Sequence, residues 1–313
     1  MSRQRIRLFR WVIAGVALPA AAGCAPPMLS VDDAVALNGK PVMFVAHAER
    51  PQVLGLRSEI EHVTISFRVD DREIRRADTG DSGRAVAEFP LPRPGITAFD
   101  ARAVIDGREL QTTGTIFAWS AERPIIAVDI DNTICRTEYE DLILKAEDVE
   151  SHPIPGSRET LTRLSGDFHI AYVTGRPRIY LEKTRAWLRR NEFPPGPVVT
   201  SPRLRDMIKY RTLKRTMLAN LRRRWPNLLI GIGDEPLDAD AYGANGMLAL
   251  IVNPGRKHAY GLHAIVLGDW ASVDRFFDLN REILIKAEGI AKVANGEIPL
   301  ERYVQPWRNT NGE

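Results

Sequence analysis

Ile125-Ile-Ala-Val-Asp129-Ile-Asp131-Asn-Thr133 is the stretch that decides the fold of the C-terminal part of this chain. Its apolar residues run almost without interruption, which is typical of a strand buried on both faces of a sheet. Asp129 and Asp131 are two positions apart, so on an extended strand their side chains project to the same side. Two neighbouring carboxylates repel each other unless a cation compensates, and Mg²⁺ prefers carboxylate oxygens. The sequence therefore predicts a magnesium site where this strand ends.

Further apolar runs follow this strand and alternate with segments of helical pattern. The alternation predicts an α/β domain over residues 122–295, with a doubly wound parallel sheet between layers of helices. In such folds ligands bind at the carboxyl ends of the strands, so the polar residues that end the runs are the site candidates. The further runs are 168–174, 198–200, 228–233 and 247–252, and the helical segments are 157–164, 179–191, 205–224 and 270–293.

Two of the later runs end in polar groups that suit a phosphorylated ligand. Thr174-Gly175-Arg176 offers a hydroxyl and backbone amides for a phosphate oxygen, although Thr174 could equally cap the following helix. Another run ends at Gly233 and is followed by Asp234 and Asp238. The helix between these runs supplies Lys209 and Lys214, and either amine could balance the negative charge of the site.

These features, in this order, resemble the motif set of the haloacid dehalogenase superfamily: Asp-x-Asp-x-Thr, a Thr or Ser that closes a strand, a lysine and an acidic motif. The resemblance covers roughly residues 124–270 and is closest to the lipin-type and fungal actin-patch phosphatidate phosphatases. It implies a haloacid dehalogenase-like fold. The matching text is Asp129-Ile-Asp-Asn-Thr-Ile134, Tyr172-Val-Thr-Gly-Arg-Pro177, Phe193-Pro-Pro-Gly-Pro-Val-Val-Thr-Ser201, Gly233-Asp-Glu-Pro-Leu-Asp-Ala-Asp-Ala-Tyr242 and Ile251-Val-Asn-Pro-Gly255.

The resemblance also implies a role for each matching residue. Asp129 would be the nucleophile that forms an aspartyl-phosphate, and Asp131 would be the general acid and then the general base. Thr174 and Lys214 would be catalytic residues that stabilise the charge of the phosphoryl group. The expected substrate-binding residues are Thr133, Gly175, Arg176 and Lys209, and the expected Mg²⁺ ligands are Asp129, Asp131 through its backbone carbonyl, Asp234 and Asp238.

Spacing favours Lys214 over Lys209, because Lys214 precedes Asp234 at the family's distance and Trp225-Pro226 lies where an aromatic–proline pair is common. Two motifs depart from the lipin pattern. Asn132 stands where lipins carry Gly, and Asp234-Glu235 stands where they carry Asn-Arg. Asp234 strengthens the metal assignment, whereas Glu235 removes a positive charge and weakens the lipin-like substrate assignment.

Residues 38–120 have a different pattern, in which apolar and polar residues alternate over short segments separated by turn residues. The pattern predicts a small all-β sandwich of the immunoglobulin-like kind. Its turn text, Asp81-Ser-Gly-Arg-Ala-Val-Ala87, resembles that of bacterial immunoglobulin-like or transthyretin-like modules. The expected strands are 41–45, 62–69, 85–89 and 99–105, and we predict no chemistry for this domain.

The N-terminus has the pattern of an export signal. Arg3, Arg5, Arg7 and Arg10 precede an apolar run, and Ala21-Ala-Gly-Cys24 resembles the lipobox of bacterial lipoproteins. We therefore expect a signal peptide over 1–23, an acylated Cys24 and a linker over 24–37, with a C-terminal tail over 296–313. The alternative is an ordinary secretory signal cut nearby. Either leader predicts an extracytoplasmic protein, and acylation would make it a membrane-anchored lipoprotein.

Charge excludes one class of partner. The formal charge of the 313-residue chain is +3, and without the four leader arginines it falls to −1, so a general attraction to nucleic acid is not expected. Since the intervals between the motifs already contain core elements, no large cap is expected over the site. The sequence predicts a Mg²⁺-dependent phosphomonoesterase that acts on phosphatidate-like lipids.

Two alternatives to this function remain. A phosphatase for a soluble extracytoplasmic ester, such as a nucleotide, a sugar phosphate or a phosphoprotein, fits the motifs equally well. A non-catalytic phosphatidate-binding module resembles the lipin-like domain of phosphatidylinositol-transfer proteins, which lacks a full catalytic pair. Retention of Asp131 argues against this second alternative.

Overall fold

The computed structural model describes residues 25–37, 39–51, 57–90, 95–136, 151–201, 210–253, 260 and 264–298. Residues 1–24, which contain the predicted signal peptide and Cys24, lie outside the described residues, as does most of the predicted tail. Within the part described, no helix is both long enough and apolar enough to cross a bilayer.

The described residues of the N-terminal part form nine strands in two facing sheets. One sheet contains β1 (Met28–Val31), β3 (Val42–Pro51), β4 (Arg57–Glu59) and β7 (Arg84–Phe89). The other contains β2 (Ala34–Leu37), β5 (Thr64–Val69), β6 (Arg72–Asp78), β8 (Gly95–Ile105) and β9 (Arg108–Trp119), in the order β2-β9-β8-β5-β6.

Aromatic side chains join the two sheets. The Phe44 ring on β3 lies 5.5 Å from the Phe67 ring and 4.7 Å from the Phe99 ring, which belong to the opposite sheet. All three side chains are buried in one apolar core, and alternate residues of β5 and β8 are more exposed, as in a β-sandwich. The sequence analysis predicted this layered all-β arrangement.

The predicted linker over 24–37 is wrong in part, because β1 and β2 lie within it. β2 is short, but its side chains at Ala34, Ala36 and Leu37 are buried and the strand pairs in parallel with β9. The prediction also missed β6, a charge-rich and largely exposed strand at the edge of its sheet. Charged residues are common on such edges because they discourage pairing with another chain.

The C-terminal part is an α/β unit in which the residues that the structure describes form six strands. These are β10 (Ile125–Val128), β11 (His169–Pro177), β12 (Val198–Ser201), β13 (Leu228–Gly233), β14 (Leu248–Ile251) and β15 (Ala264–Val266). They form one sheet in the order β12-β11-β10-β13-β14-β15, and every neighbouring pair is parallel. This is the strand order of a doubly wound sheet, and the order reverses between β10 and β13, where a ligand crevice is expected.

Seven α-helices connect or follow these strands within the described residues. They are α1 (Ser157–Leu164), α2 (Leu181–Arg190), α3 (Tyr210–Arg224), α4 (Pro236–Gly243), α5 (Trp270–Leu279), α6 (Arg281–Leu284) and α7 (Ala287–Ala294). The single helix predicted over 270–293 is therefore three. Asn280 follows the first of them, and its side-chain amide donates to the Phe276 carbonyl, which accompanies the end of α5.

Candidate active site

The loop after β10 is a tight turn that projects two carboxylates. Asp129 and Asp131 are both buried, at 4% and 8% exposure. Asn132, which lies between Asp131 and Thr133, has a left-handed backbone conformation with φ of 59°. Gly adopts this conformation freely and Asn tolerates it better than most residues. Asn at a position where the lipin pattern has Gly is therefore compatible with the same turn.

Lys214 brings a buried positive charge to this turn from α3. Its Nζ lies 2.8 Å from Asp129 Oδ1 and also donates to Asp238 Oδ1. The lysine side chain is only 2% exposed. The structure thus places Lys214 among the acids, whereas Lys209 lies outside the described residues.

The loop after β13 supplies the other acids of the site. Thr133 Oγ1 lies 3.1 Å from Asp234 Oδ1 and 3.4 Å from Asp129 Oδ2, so one hydroxyl contacts carboxylates from both loops. Asp238 Oδ2 accepts the backbone amides of Asp234 and Glu235, each at 3.2 Å. Asp238 therefore fixes the shape of this loop while it also holds the lysine.

Gly233 permits this close arrangement. A Cβ atom at Gly233 would lie 2.4 Å from a carboxylate oxygen of Asp238, which is far inside the contact distance. Any larger residue would therefore push the side chain of Asp238 away from Lys214 and from the Asp234 amide.

Asp131 has different partners from Asp129. The guanidinium of Arg176 contacts both of its oxygens, with Nη2–Oδ1 at 2.7 Å, Nε–Oδ1 at 3.1 Å and Nε–Oδ2 at 3.1 Å. Thr174 Oγ1 lies 3.4 Å from Asp131 Oδ2. Arg176 is 7% exposed, and it also contacts the Thr184 hydroxyl at 3.3 Å and the Cys135 thiol at 3.5 Å.

Burial and mutual repulsion perturb the carboxyl groups. Burial raises the pKa of Asp129 to about 7; Lys214 opposes this shift, and Asp238 and Asp131 add to it. Burial, followed by the charges of Asp129 and Asp238, raises the pKa of Asp234 to about 9. Such shifts are common where a site awaits a cation or performs proton transfer.

The acids fit a hard metal ion. Asp129, Asp234 and Asp238 are buried and offer carboxylate oxygens that all lie within 4.8 Å of one another. An all-oxygen, anionic set is the chemistry that Mg²⁺ prefers, and a cation would relieve the repulsion that raises the pKa of two of these groups. The carboxylate of Asp131 is occupied by Arg176 instead, so its predicted role as a ligand concerns its backbone carbonyl alone and stays a prediction.

Most of the predicted site residues converge at one edge of the sheet. Gly175 lies half-buried between Thr174 and Arg176 near the end of β11. Arg176 was expected beside the phosphate but pairs with the acid–base candidate. The residues that the structure brings together are Asp129, Asp131, Thr133, Thr174, Arg176, Lys214, Asp234 and Asp238.

Three further residues support the loops and were not predicted as site residues. The indole Nε1 of Trp270 donates to the Thr133 carbonyl at 2.8 Å, and the Asn253 amide donates to the carbonyls of Asn132 and Thr133 at 3.1 and 3.3 Å. The Tyr260 hydroxyl donates to the Asp234 carbonyl at 3.0 Å. Of these three residues, only Asn253 could have been suspected from the sequence of a role near the site, because it directly follows an apolar run.

Comparison with known proteins gives partial matches. No protein-family model matches the chain. A protein of Oceanobacillus iheyensis described as "Putative nucleotidase" is 51% identical over 41 residues, which are 13% of this chain and 22% of that protein. The chain thus matches less than a quarter of the length of this relative.

Two solved structures show low global similarity. A structure described as a "putative 3-deoxy-D-manno-octulosonate 8-phosphate phosphatase" from Vibrio cholerae is 12% identical and covers 57% of this chain and 89% of that chain, with a TM-score of 0.28. A chimeric titin Z1Z2 protein is 15% identical and covers 30% of this chain and 94% of that chain, with a TM-score of 0.22. A functional proposal therefore depends on the geometry of the site.

Proposed function

We propose that this protein is a Mg²⁺-dependent phosphomonoester hydrolase of haloacid dehalogenase type. The observation that carries the proposal is the buried cluster at the carboxyl ends of β10 and β13. Lys214 contacts Asp129 and Asp238 there, and carboxylate oxygens of Asp129, Asp234 and Asp238 lie within 4.8 Å of one another. Acids outnumber cations in this cluster, and a divalent cation would complete its charge balance.

Asp129 is the nucleophile in this proposal. Its carboxylate oxygen forms a bond to phosphorus as the bond from phosphorus to the leaving oxygen breaks, which gives an aspartyl-phosphate. Lys214, 2.8 Å from Asp129 Oδ1, offsets the negative charge of the phosphoryl group. Asp129, Asp234 and Asp238 would hold Mg²⁺, which when bound supplies further positive charge against the phosphoryl oxygens.

Asp131 transfers the protons in both steps. It donates a proton to the leaving alkoxide in the first step and then accepts one from the water that hydrolyses the aspartyl-phosphate, so that orthophosphate is released and the Asp129 carboxylate and the Asp131 acid are regenerated. Thr174 and the Gly175 amide, at the end of the neighbouring strand, would bind phosphoryl oxygens in the same steps.

The preferred substrate in our proposal is a phosphatidate-like lipid. Support comes from the lipin-like motif text, from the intervals that leave no room for a large cap, and from the lipobox-like leader, whose acylated Cys24 would anchor the enzyme at an extracytoplasmic membrane surface. A mature N-terminus that mass spectrometry finds unmodified and at another residue would contradict the anchor.

A nucleotide monoester is the second candidate substrate. The observation that favours it is the short match to the Oceanobacillus iheyensis protein, whose description names a nucleotidase. The two candidates share the chemistry of Asp129 and Asp131, and they differ only in the group that leaves.

A hydrolysis panel tests the proposal and separates its candidates. Purified protein lacking residues 1–24 is assayed on phosphatidate in mixed micelles, nucleotide monophosphates and p-nitrophenyl phosphate. We expect phosphate release that EDTA abolishes and Mg²⁺ restores, with the highest kcat/KM on phosphatidate. Asp129→Asn should lower the rate at least about a thousand-fold because an amide is a poor nucleophile.

Asp278→Asn is the matched control, since Asp278 is an exposed acid on α5. It should retain the wild-type rate. Phosphate release by Asp129→Asn at the rate of this control would refute the mechanism. A clear preference for nucleotides with no action on phosphatidate would replace the lipid assignment by the second candidate.

A further inference from the structure

The carboxylate of Asp131 is held in a fixed orientation by one arginine. The planar guanidinium of Arg176 reaches both carboxylate oxygens through Nε and Nη2, at distances between 2.7 and 3.1 Å. A two-point contact of this kind restricts rotation of the carboxylate as well as its position. A single ammonium group could supply the charge but not the orientation.

Arg176 is itself anchored on its far side. Its Nη1 lies 3.3 Å from the hydroxyl of Thr184, a fully buried residue of α2, and its Nη2 lies 3.5 Å from the Cys135 thiol. The backbone amide of Arg176 also donates to Thr174 Oγ1 at 3.2 Å. Because these contacts come from three elements, the guanidinium is held against Asp131 and is not a mobile surface group.

We propose that Arg176 is a positioning residue that orients Asp131 for proton transfer. This inference rests on the proposed phosphatase function and replaces the sequence-based expectation that Arg176 binds the phosphate. Proximity and orientation of a proton donor account for large parts of enzymatic rates, and small displacements are costly. The consequence is that Arg176 should matter most for substrates whose leaving group needs a proton.

Two leaving groups separate this role from others. An alkoxide, as in phosphatidate, is a poor leaving group that requires protonation, whereas p-nitrophenolate leaves without it. General acid catalysis contributes roughly 10²- to 10⁴-fold where it is required. A residue that only binds phosphate would affect both substrates equally, because both carry the same phosphoryl group.

The test measures kcat and KM of Arg176→Met and Arg176→Lys on phosphatidate and on p-nitrophenyl phosphate. We expect kcat/KM, which reports the step that releases the leaving group, to fall about a hundred-fold on phosphatidate and several-fold at most on p-nitrophenyl phosphate. Arg176→Lys should resemble Arg176→Met, because lysine keeps the charge and loses the two-point contact.

Other outcomes would overturn the inference. Equal losses of kcat/KM on both substrates would assign Arg176 a structural role, or a phosphate-binding role where Arg176→Lys repairs them. A wild-type protein that hydrolyses neither substrate would refute the proposed function itself, which is a distinguishable result. If Arg176→Met does not fold, Thr184→Val removes the hydrogen-bond partner of Arg176 Nη1. This variant should lose more kcat/KM on phosphatidate than on p-nitrophenyl phosphate, with a smaller difference than that expected for Arg176→Met. Equal losses on both substrates would again overturn the inference.

Discussion

Two buried charged clusters in this molecule differ in how their charges are compensated. The site cluster consists of Asp129, Asp131, Asp234, Asp238, Lys214 and Arg176. The junction cluster consists of Asp33, which precedes β2, and Arg185 on α2, together with the backbone amides that bind Asp33. Both clusters are excluded from water, but only the junction cluster balances its buried carboxylate with a buried cation, and Arg185 also contacts the exposed Glu182.

The junction cluster links the β-sandwich to the α/β unit with complete hydrogen bonding of the carboxylate. Arg185 contacts both oxygens of Asp33, with Nη2–Oδ1 at 2.7 Å and Nε–Oδ2 at 3.2 Å. The amides of Val198 and Thr115 donate to the same carboxylate at 2.9 and 3.2 Å. Burial raises the pKa of Asp33, and each of these partners acts against that shift.

In the site cluster, four carboxylates face two cations, and neighbouring acids add to the effect of burial. Asp238 and Asp131 raise the pKa of Asp129 further, and Asp129 and Asp238 do the same for Asp234. A buried excess of one charge sign is costly unless a ligand compensates it. The arrangement of charge, rather than burial alone, therefore distinguishes a structural ion pair from a site that is completed by a cation.

The largest expected effect on stability is at the junction cluster. Asp33→Ala removes the buried carboxylate that pairs with Arg185 and leaves the guanidinium with the exposed Glu182 and the Val31 carbonyl. The cost should therefore lie near the lower end of the range for a broken buried pair, about 3 kcal/mol of unfolding free energy. Urea denaturation measures the change. A loss below about 1 kcal/mol would mean that the junction behaves like an exposed pair.

A matched substitution sharpens this result. Asp33→Asn keeps one acceptor oxygen and places an NH2 group where the other oxygen accepted, because the Thr115 and Val198 amides donate to different oxygens of Asp33. Its cost should therefore approach that of Asp33→Ala. The proposed catalytic residues do not include Asp33, so folded variants should keep their Mg²⁺ dependence. A folded Asp33→Asn protein that is no longer activated by Mg²⁺ would show that the two clusters are not independent.

The site cluster should respond to pH in the opposite sense from an ordinary salt-bridged acid. The pKa of Asp234 is about 9 and that of Asp129 about 7 in the folded protein without metal, against 3.8 for a free Asp. At pH values between the pKa of a free Asp and the raised pKa of each group, the folded state keeps a proton that the unfolded state has released. The unfolding free energy of the metal-free protein should therefore fall as pH rises from about 4 towards 9, by up to about 1.4 kcal/mol per pH unit for each proton.

Magnesium separates the contribution of the site from that of the junction. Mg²⁺ binds the ionised carboxylates, so it should reduce the decrease of the unfolding free energy with pH that Asp129 and Asp234 cause. The part of this pH dependence that Asp33 causes should remain. Asp234→Asn should flatten the slope without Mg²⁺ and stabilise the metal-free protein at pH 8. A slope that neither Mg²⁺ nor Asp234→Asn changes would contradict the raised pKa values and weaken the case for a cation site.

The sequence predicted much of this arrangement and missed a specific part of it. Asp129, Asp234 and Lys214 could be placed together because residues that end parallel strands meet at one edge of a sheet, and because the motif order resembles a known family. The contact between Asp131 and Arg176 could not be predicted, since it depends on side-chain rotamers and on the anchor that α2 provides. The junction carboxylate was missed for a related reason: its partners come from distant segments, and its own segment was predicted as a linker.

The smallest expected effect concerns an exposed ion pair whose charged atoms lie closer together than those of Arg185 and Asp33. Arg163 Nε lies 2.5 Å from Asp274 Oδ1 and joins α1 to α5, but the two side chains are 40% and 44% exposed. Water screens such a pair and its ordering costs side-chain entropy, so Asp274→Ala should change the unfolding free energy by less than about 1 kcal/mol. Urea denaturation beside Asp33→Ala measures both under one condition. A loss from Asp274→Ala as large as that from Asp33→Ala would show that interatomic distance, rather than burial and full hydrogen bonding, determines the strength of the ion pairs in this protein.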